Sequence, residues 1–256
     1  MFRYAITRLP AKTFAQGIST NRFGAPDFQR ALVQHQAYVQ TLQRLGLNVT
    51  TMPSDPRYPD STFIEDVAIV TSNFAVITNP GADSRKGETA AIRPILEARF
   101  ERLYQITPPG TLDGGDICEA GQHYFIGLSN RTNLEGGRQL AEILKKEGYT
   151  SSFIPVEGAP DLLHLKSGMG YLEGERLVVV KELAKRDEFR SYELVIVPDS
   201  ERYAANCLQV NAAVLLPSGY PLLAESLQRL GYQLELLDMS EFQKMDGGLS
   251  CLSLRY

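Results

Sequence analysis

The same order of predicted elements recurs along this chain with a period of roughly fifty residues, a length typical of repeat architectures. Each copy has a strand, a tight turn, a return strand, a helix and a last strand, as its alternating apolar runs, turn residues and helix-period segments indicate. The four full copies begin near Thr62, Leu112, Leu162 and Ala204. A fifth copy starts at 247–254 and lacks its later elements, which residues 2–52 supply.

The divided fifth copy indicates how the modules are arranged. A period of this length is also compatible with two α/β domains. Closing the array into a ring explains the divided copy and removes free sheet edges. We therefore predict a single domain over residues 1–256 with an α/β fold. The expected architecture is a five-bladed α/β propeller (pentein) of pseudo-fivefold ββαβ modules, one module being closed by both termini.

Three local predictions follow from the same patterns. A strand is predicted over 62–71, although Glu65 and Asp66 interrupt its apolar run. A helix is predicted over 181–191. A loop is predicted over 11–26; it is longer than most connections in compact domains, which is typical of functional lids.

Polar residues recur where the modules open, at or near the start of each first strand. Equivalent positions of a pseudo-symmetric ring face a common centre, so we expect these residues to converge although they are distant in sequence. They are Asp60, Glu65, Asp66, Asp113, Asp116, His164 and Cys251. Charges inside an apolar strand, as at Glu65 and Asp66, are costly unless they are paired.

The thiol of Cys251 follows two glycines, which can adopt backbone conformations barred to other residues. A buried structural cysteine is the competing interpretation, since free cysteines are among the most buried residue types. His35 lies within the first predicted helix and His123 at a hairpin tip, which leaves His164 as the candidate partner. A thiol, a histidine and a carboxylate together indicate nucleophilic catalysis with the histidine transferring protons.

The carboxylates near this thiol indicate the charge of the substrate. Their negative charge raises the pKa of a thiol, which makes chemical sense if the substrate is a cation. A guanidinium is planar, has five N–H donors and is the cation that paired carboxylates bind best. The sequence has no cysteine pair or histidine pair at metal-ligand spacing, so we predict no metal site.

Charge and composition argue against some partners. The net charge of −4 argues against nucleic acid, whose binding proteins usually have basic surfaces. No apolar run approaches the ~20 residues that span a bilayer, so we expect no membrane partner. Three widely spaced cysteines without a CxxC pair indicate a reducing compartment, and we predict a cytoplasmic protein. The sequence leaves open whether the protein is a monomer or a homodimer.

Motifs spread along the whole chain resemble those of one enzyme family. They read PDS and FIEDV within 59–67, SRK at 84–86, TLDGGD at 111–116, SNRTN at 129–133, HLKS at 164–167 and DGGLSC at 246–251. The sequence resembles the dimethylarginine dimethylaminohydrolases, of the guanidino-modifying superfamily, whose fold is a five-bladed α/β propeller. The resemblance implies hydrolysis of Nω-methylated arginines to citrulline and methylamine or dimethylamine, without a cofactor.

The resemblance also implies roles for the matching residues. Cys251 would attack the guanidinium carbon, His164 would transfer protons, and Asp113 would hydrogen-bond His164. The residues expected to bind the small cationic amino-acid substrate are Ile18, Asp60, Glu65, Asp66, Arg85, Arg131 and Met245. In this assignment Asp66 binds the guanidinium with Asp60 and Glu65 in support, the two arginines hold the α-carboxylate, and the backbone at the other two positions holds the α-amino group. The loop 11–26 would be a lid.

Simpler interpretations compete at several of these positions. Asp60 could cap a turn, and Asp116 could be a structural turn acid. Arg85 and Arg131 could be solvated residues at helix ends.

Other activities also remain open. An arginine deiminase typically has an aspartate where this sequence has Lys166, which argues against that activity. A catalytically silent binding propeller should lack the thiol and the histidine. An amidinotransferase would need an acceptor site that the sequence does not reveal.

Overall fold

The computed structural model describes residues 1–20, 23–156 and 162–256. Within these residues the chain forms five three-stranded sheets, one from each predicted module. The strands are β1 (Tyr4–Arg8), β2 (Asn48–Met52), β3 (Ala68–Val70), β4 (Ala75–Ile77), β5 (Leu103–Gln105), β6 (Ile117–Ala120), β7 (His123–Leu128), β8 (Thr150–Pro155), β9 (Met169–Leu172), β10 (Arg176–Val180), β11 (Glu193–Val197), β12 (Leu208–Val210), β13 (Ala213–Pro217), β14 (Gln233–Leu237) and β15 (Leu254–Arg255). The five predicted modules are confirmed.

Every sheet has the same internal order. The middle strand pairs antiparallel with the first strand of its module and parallel with the last, as β7 does with β6 and β8. A parallel pair needs a crossover connection, usually an α-helix. The helices in the described residues are α1 (Phe28–Arg44), α2 (Thr89–Glu97), α3 (Leu134–Lys146), α4 (Pro221–Arg229) and the short α5 (Ser240–Gln243). None of them is long and apolar enough to cross a membrane.

Two of the crossover helices begin at residues that the sequence makes good caps. The Asp27 side chain accepts a hydrogen bond from the Arg30 N–H at the start of α1. The Asn133 side chain accepts one from the Gly136 N–H at the start of α3. Each satisfies a backbone donor that the first helical turn leaves without an internal partner.

The prediction of a helix over 181–191 is wrong. This crossover consists of turns and one short 3₁₀ helix, Asp187–Phe189. Its two fully buried apolar side chains, Leu183 and Phe189, are six positions apart. That spacing is roughly 240° around an α-helix, so one helix could not bury both against the same surface.

The strand predicted over 62–71 is also shorter than expected, because 3₁₀ helices precede the first strands. The 3₁₀ helices that open the five modules are Ile64–Val67, Gly114–Asp116, Leu165–Ser167, Asp199–Ala205 and Ser250–Leu252. Successive side chains of a strand point to opposite faces. A 3₁₀ turn instead lets the adjacent Glu65 and Asp66 reach separate partners, the partly buried Lys166 and the buried Arg85.

The two ends of the chain close the ring. Strand β15 pairs antiparallel with β1, which places Leu254 opposite Ile6, and both side chains are buried. The Arg3 and Tyr4 N–H groups both donate to the Tyr256 carbonyl, at 2.9 and 2.8 Å. Residues at both ends of the chain therefore complete one sheet, as the divided repeat predicts.

A cavity of about 600 Å³ is lined by residues from all five modules. Glu65, Lys166 and Ser250 line it, whereas the adjacent Asp66 and Cys251 do not. The candidate catalytic residues Asp113, His164 and Cys251 are therefore not among the residues that line this cavity.

Candidate active site

The structure joins two of the three predicted catalytic residues directly. His164 precedes the 3₁₀ helix Leu165–Ser167, and Asp113 precedes Gly114–Asp116. The His164 Nε2 atom lies 3.1 Å from the Asp113 Oδ2 atom. A carboxylate can only accept here, so Nε2 carries the proton.

The Asp113 carboxylate is fixed from a second direction. The Gly81 N–H donates to Asp113 Oδ1 at 2.8 Å, and the Asp113 N–H donates to Thr132 Oγ1 at 3.1 Å. Asp113 is completely buried. Both of its carboxylate oxygens have partners, so its side chain can orient His164.

Gly115 brings the backbone against this pair. Its N–H donates to Asp66 Oδ1 at 2.8 Å. A Cβ atom on Gly115 would lie 2.7 Å from His164 Nδ1 and 3.0 Å from Asp66 Oδ1. Only glycine lets the imidazole and the Asp66 carboxylate both approach this segment.

The charge of His164 depends on its carboxylate neighbours. Burial by itself lowers the pKa of the imidazole, but the charges of Asp66 and Asp116 and the hydrogen bond with Asp113 outweigh it and raise the pKa to about 9. His164 is therefore protonated at neutral pH and can act as an acid.

Asp116 supports both sides of the His164–Asp113 pair. Its Oδ1 atom accepts from the Leu165 N–H at 2.9 Å, and its Oδ2 atom accepts from Thr132 Oγ1 at 2.7 Å. Asp116 is completely buried, and burial raises the pKa of its carboxyl to about 6 despite these hydrogen bonds and the charge of His164. Asp116 therefore contacts the Leu165 backbone next to His164 and the Thr132 side chain that accepts from the Asp113 N–H.

Cys251 is the exposed member of the candidate triad. Its side chain is half-buried, whereas His164 and Asp113 are buried. Its Sγ atom accepts from the Gly248 N–H at 3.4 Å. Burial, then the charges of Glu65 and Asp66, raise the pKa of the thiol to about 12. These contributions favour the neutral thiol, and the two carboxylates act in the direction that the sequence argument gives.

The Glu65 carboxylate is engaged beside the central cavity. Its Oε1 atom lies 2.5 Å from Lys166 Nζ, and its Oε2 atom accepts from Ser250 Oγ at 2.8 Å. These contacts connect Glu65 to the segment next to Cys251. The structure does not bring it into the hydrogen-bond network of Asp66.

Arg85 is buried and ion-paired, so a solvated helix-end position is excluded. Its Nη1 atom donates to Asp66 Oδ2 at 2.5 Å, and its Nε and Nη2 atoms donate to the Glu88 carboxylate. Nη2 also donates to the Phe63 carbonyl at 2.9 Å. Burial opposes the charged form of Asp66, but His164 and Arg85 hold the pKa of that carboxyl well below its usual range.

Asp60 lies where the loop 11–26 meets the segment before Cys251. The Ile18 N–H donates to both Asp60 oxygens, at 3.1 and 3.2 Å. A Cβ atom on Gly17 would lie 3.2 Å from the Met245 side chain and 2.3 Å from Asp60 Oδ1. The predicted residues Ile18, Asp60 and Met245 are thus brought together, and burial raises the pKa of Asp60.

Arg131 differs from Arg85. It is half-buried, and its guanidinium makes no ion pair or hydrogen bond within residues 1–20, 23–156 and 162–256. Its charge lowers the pKa of Asp60, which places it near the same group. The loop 11–26, for which a lid role stays a prediction, includes a 3₁₀ helix, Phe14–Gln16, anchored by the fully buried Phe14. Positions 21–22 of that loop lie outside the described residues.

Asp66, Asp113 and His164 also have the spacing of a metal site, with ligand atoms within 4.8 Å of one another. The Asp66 oxygens, however, accept from Gly115 and Arg85. The Asp113 oxygens accept from Gly81 and His164. The carboxylate oxygens of both acids therefore have hydrogen-bond donors from the protein itself, and the chemistry of the cluster fits a proton-transfer site.

Sequence reasoning missed several supporting residues. Thr132 and Ser129 lie inside the SNRTN motif at 129–133, so their place in that motif could have identified them. Gly81 and Asn206 gave no signal, because their partners Asp113, Lys166 and Ser250 are distant in sequence.

Comparison with known proteins decides the family. The family model described as "N,N dimethylarginine dimethylhydrolase, eukaryotic" matches residues 25–195. The N(G),N(G)-dimethylarginine dimethylaminohydrolase of Pseudomonas aeruginosa is 43% identical to this chain over 261 residues, and the alignment covers 100% of both proteins. The chain belongs to the dimethylarginine dimethylaminohydrolase family. The resemblance inferred from the motifs is confirmed.

Other dimethylarginine dimethylaminohydrolases support the assignment. The Streptomyces coelicolor protein of that name is 32% identical over 252 residues, which cover 98% of this chain and 96% of the relative. A solved P. aeruginosa structure, a cysteine-to-serine mutant complexed with citrulline, superposes with a TM-score of 0.97 at 42% identity over 100% of both chains. An adduct with S-methyl-L-thiocitrulline gives 0.96 at the same identity and coverage. The predicted five-bladed α/β propeller is thereby confirmed.

Proposed function

We propose that this protein hydrolyses Nω-methylated arginines, asymmetric dimethylarginine and monomethylarginine, to L-citrulline and dimethylamine or methylamine. The observation that carries the proposal is a half-exposed thiol in the same site as a buried, protonated His164–Asp113 pair, with the Asp66 carboxylate next to it. This arrangement suits a cationic, planar substrate attacked at carbon.

The first half-reaction needs the thiolate of Cys251. The cationic guanidinium offsets the charges of Glu65 and Asp66, so its binding lowers the pKa of the thiol and favours loss of the thiol proton to solvent. The thiolate forms a bond to the guanidinium carbon and gives a tetrahedral adduct. His164 then donates its proton to the methylated nitrogen, the C–N bond breaks, and the amine leaves a planar S-alkylthiouronium on Cys251.

The second half-reaction uses the same imidazole as a base. The now neutral His164 takes a proton from a water molecule as its oxygen bonds to the thiouronium carbon. As the C–S bond of this second adduct breaks, its hydroxyl proton passes to the departing sulfur, which yields the ureido group of citrulline and returns the Cys251 thiol. Asp113 keeps the Nε2 face of the ring oriented in both steps.

Two groups of residues are proposed to hold the amino-acid end of the substrate. Arg131 supplies for the α-carboxylate a guanidinium that has no partner among the described residues. Four of the five N–H donors of Arg85 are already engaged, so it contributes the remaining Nη1 hydrogen. The backbones of Ile18 and Met245, beside Asp60, bind the α-amino group.

Glu65 takes a different role from the one expected. Because its carboxylate is held by Lys166 and Ser250, we assign it to support of the Cys251 segment. The same ion pair bears on the deiminase alternative. Lys166 stands where a deiminase has a carboxylate, and it is turned to Glu65, so the position offers the guanidinium no second carboxylate.

Several broader predictions remain proposals. These are a single catalytic domain over residues 1–256, a cytoplasmic location and the absence of a metal or another cofactor. A homodimer remains an open alternative to a monomer.

A substrate panel with a nucleophile variant tests the proposal. Asymmetric dimethylarginine, monomethylarginine, arginine and agmatine are offered to purified protein, and citrulline formation is followed by colorimetry. Citrulline from the methylated substrates is expected, and Cys251→Ser should abolish it, whereas Cys118→Ala, at a buried cysteine outside the site, should remain active. Turnover of arginine alone would contradict the proposed substrate. Full activity in Cys251→Ser would contradict the mechanism.

A further inference from the structure

Side chain–backbone hydrogen bonds connect the opening 3₁₀ helices of neighbouring modules. Asp66 Oδ1 accepts from the Gly115 N–H of the next module, and Asp116 Oδ1 accepts from the Leu165 N–H of the one after it. Near the end of the chain the corresponding bond is made by Asn206, whose Oδ1 accepts from the Ser250 N–H at 3.0 Å. Each accepting residue lies within two positions of the first strand of its module.

The module of Asn206 carries no candidate catalytic residue, yet the Asn206 amide contacts the segments of two of them. Its Nδ2 atom donates to the Lys166 carbonyl at 2.7 Å and to Ser250 Oγ at 3.0 Å. Lys166 belongs to the 3₁₀ helix that follows His164, and Ser250 precedes Cys251. The buried Asn206 side chain is thus a bridge between the histidine segment and the cysteine segment.

The same side chain also supports the glycine that faces the thiol. A Cβ atom on Gly248 would lie 2.5 Å from Asn206 Cγ. The Gly248 N–H is the donor to Cys251 Sγ. Asn206 therefore contacts the backbone at two positions that precede Cys251, Gly248 and Ser250.

This bridge matters because the thiol and the imidazole have no hydrogen bond to each other among the described residues. Their relative position depends on the segments that carry them. A guanidinium carbon must meet the thiolate on one side while its leaving nitrogen meets His164. Misplacement of reacting groups by about 1 Å can reduce a rate roughly 100-fold.

We infer that Asn206 is a positioning residue for amidine hydrolysis, because its amide holds the Cys251 segment in register with the His164 segment. The inference rests on the proposed function. An amide is required at this position, since it accepts from the Ser250 N–H and donates to the Lys166 carbonyl at once. A carboxylate of the same shape would set an oxygen against that carbonyl.

The test compares isosteric variants at two asparagines. Asn206→Asp removes the donor to Lys166 and Ser250. Asn211→Asp is the matched control, because Asn211 Nδ2 likewise donates twice, to the Phe2 and Leu45 carbonyls, away from the catalytic segments. Asn206→Ala separates the loss of the bridge from the added charge. For each variant kcat and KM are measured with asymmetric dimethylarginine, together with the thermal unfolding midpoint.

We expect kcat to fall at least tenfold in both Asn206 variants, with KM within about threefold of the wild type. Asn211→Asp should keep the kcat of the wild type, even if its thermal unfolding midpoint falls by as much as those of the Asn206 variants. Unchanged kcat in Asn206→Ala, or an equal loss of kcat in Asn211→Asp, would overturn the inference. If Asn206→Asp does not fold, Asn206→Ala decides. Absence of wild-type turnover would instead contradict the proposed function.

Discussion

His164 keeps its proton because carboxylates surround it. Asp113 holds it by a hydrogen bond, while Asp66 and Asp116 act through their charge. Burial, with the negative charges of Glu65 and Asp66, raises the pKa of the Cys251 thiol. The same kind of neighbour thus favours the charged form of His164 and the neutral form of Cys251.

Replacement of Asp116 by asparagine should lower the pKa of His164. An asparagine side chain keeps a carbonyl oxygen that can accept from the Leu165 N–H, so Asp116→Asn removes mainly the charge. A negative charge stabilises the imidazolium, and its removal favours the neutral ring. The basic limb of kcat/KM, and the NMR titration of His164, should both move to lower pH between pH 7 and 10.

An unchanged pH profile of kcat/KM and an unchanged titration of His164 would mean that Asp116 acts through packing alone. Ser129→Ala, which removes a hydrogen bond to Asp116 but no charge, is the control.

At the scale of elements, the candidate site is built from 3₁₀ helices and not from strands. These short turns place Asp113, His164 and Cys251 in or next to them. The strands that follow these 3₁₀ helices carry none of the three residues and anchor the helices to the sheets. Within the 3₁₀ helix Gly114–Asp116, a Cβ atom on Gly115 would meet the His164 ring, so there is no space for a side chain at that position.

A methyl group at Gly115 should therefore inactivate the protein without unfolding it. In Gly115→Ala the new Cβ would lie 2.7 Å from His164 Nδ1, so the ring must move away from Asp113. We expect kcat to fall by roughly 100-fold, since small misplacements are costly. Gly148→Ala is the contrasting variant, because its φ of +88° makes it strained while its surroundings are open. It should lose about 1 kcal/mol of stability and keep its kcat. The reverse pattern would contradict this account.

For the whole molecule, closure of the ring determines where Cys251 lies. Strand β15 begins three residues after Cys251 and pairs with β1, so residues near the beginning of the chain hold the nucleophile in place. The Tyr256 ring stacks on the Tyr4 ring with centroids 5.4 Å apart. Both ends of the chain lie beside the same sheet.

A circular permutant should test this closure. Residues 256 and 1 are joined by a short glycine-serine linker, and new ends are opened in the exposed turn at 218–219. Because the Arg3 N–H already contacts the Tyr256 carbonyl, the linker spans little distance. We expect one cooperative unfolding transition and citrulline formation within about fivefold of the parent, since exposed turns tolerate new ends. A permutant opened at 114–115, beside His164, should be inactive. Equal activity of the two permutants would contradict the assigned site.

Apolar periodicity and motifs were enough to predict the five modules, the divided fifth one, the family and the three candidate catalytic residues, because such patterns can be read locally along the chain. The folded chain was needed to show that 181–191 is not a helix and that Arg85 is paired while Arg131 has no partner among the described residues. It was also needed to show that Glu65 contacts Lys166 and Ser250. It also assigned Asn206 its partners. Such choices depend on which buried polar groups meet, and the partners of Glu65 are 101 and 185 positions away. A buried charge must be paired, but the sequence does not say with what.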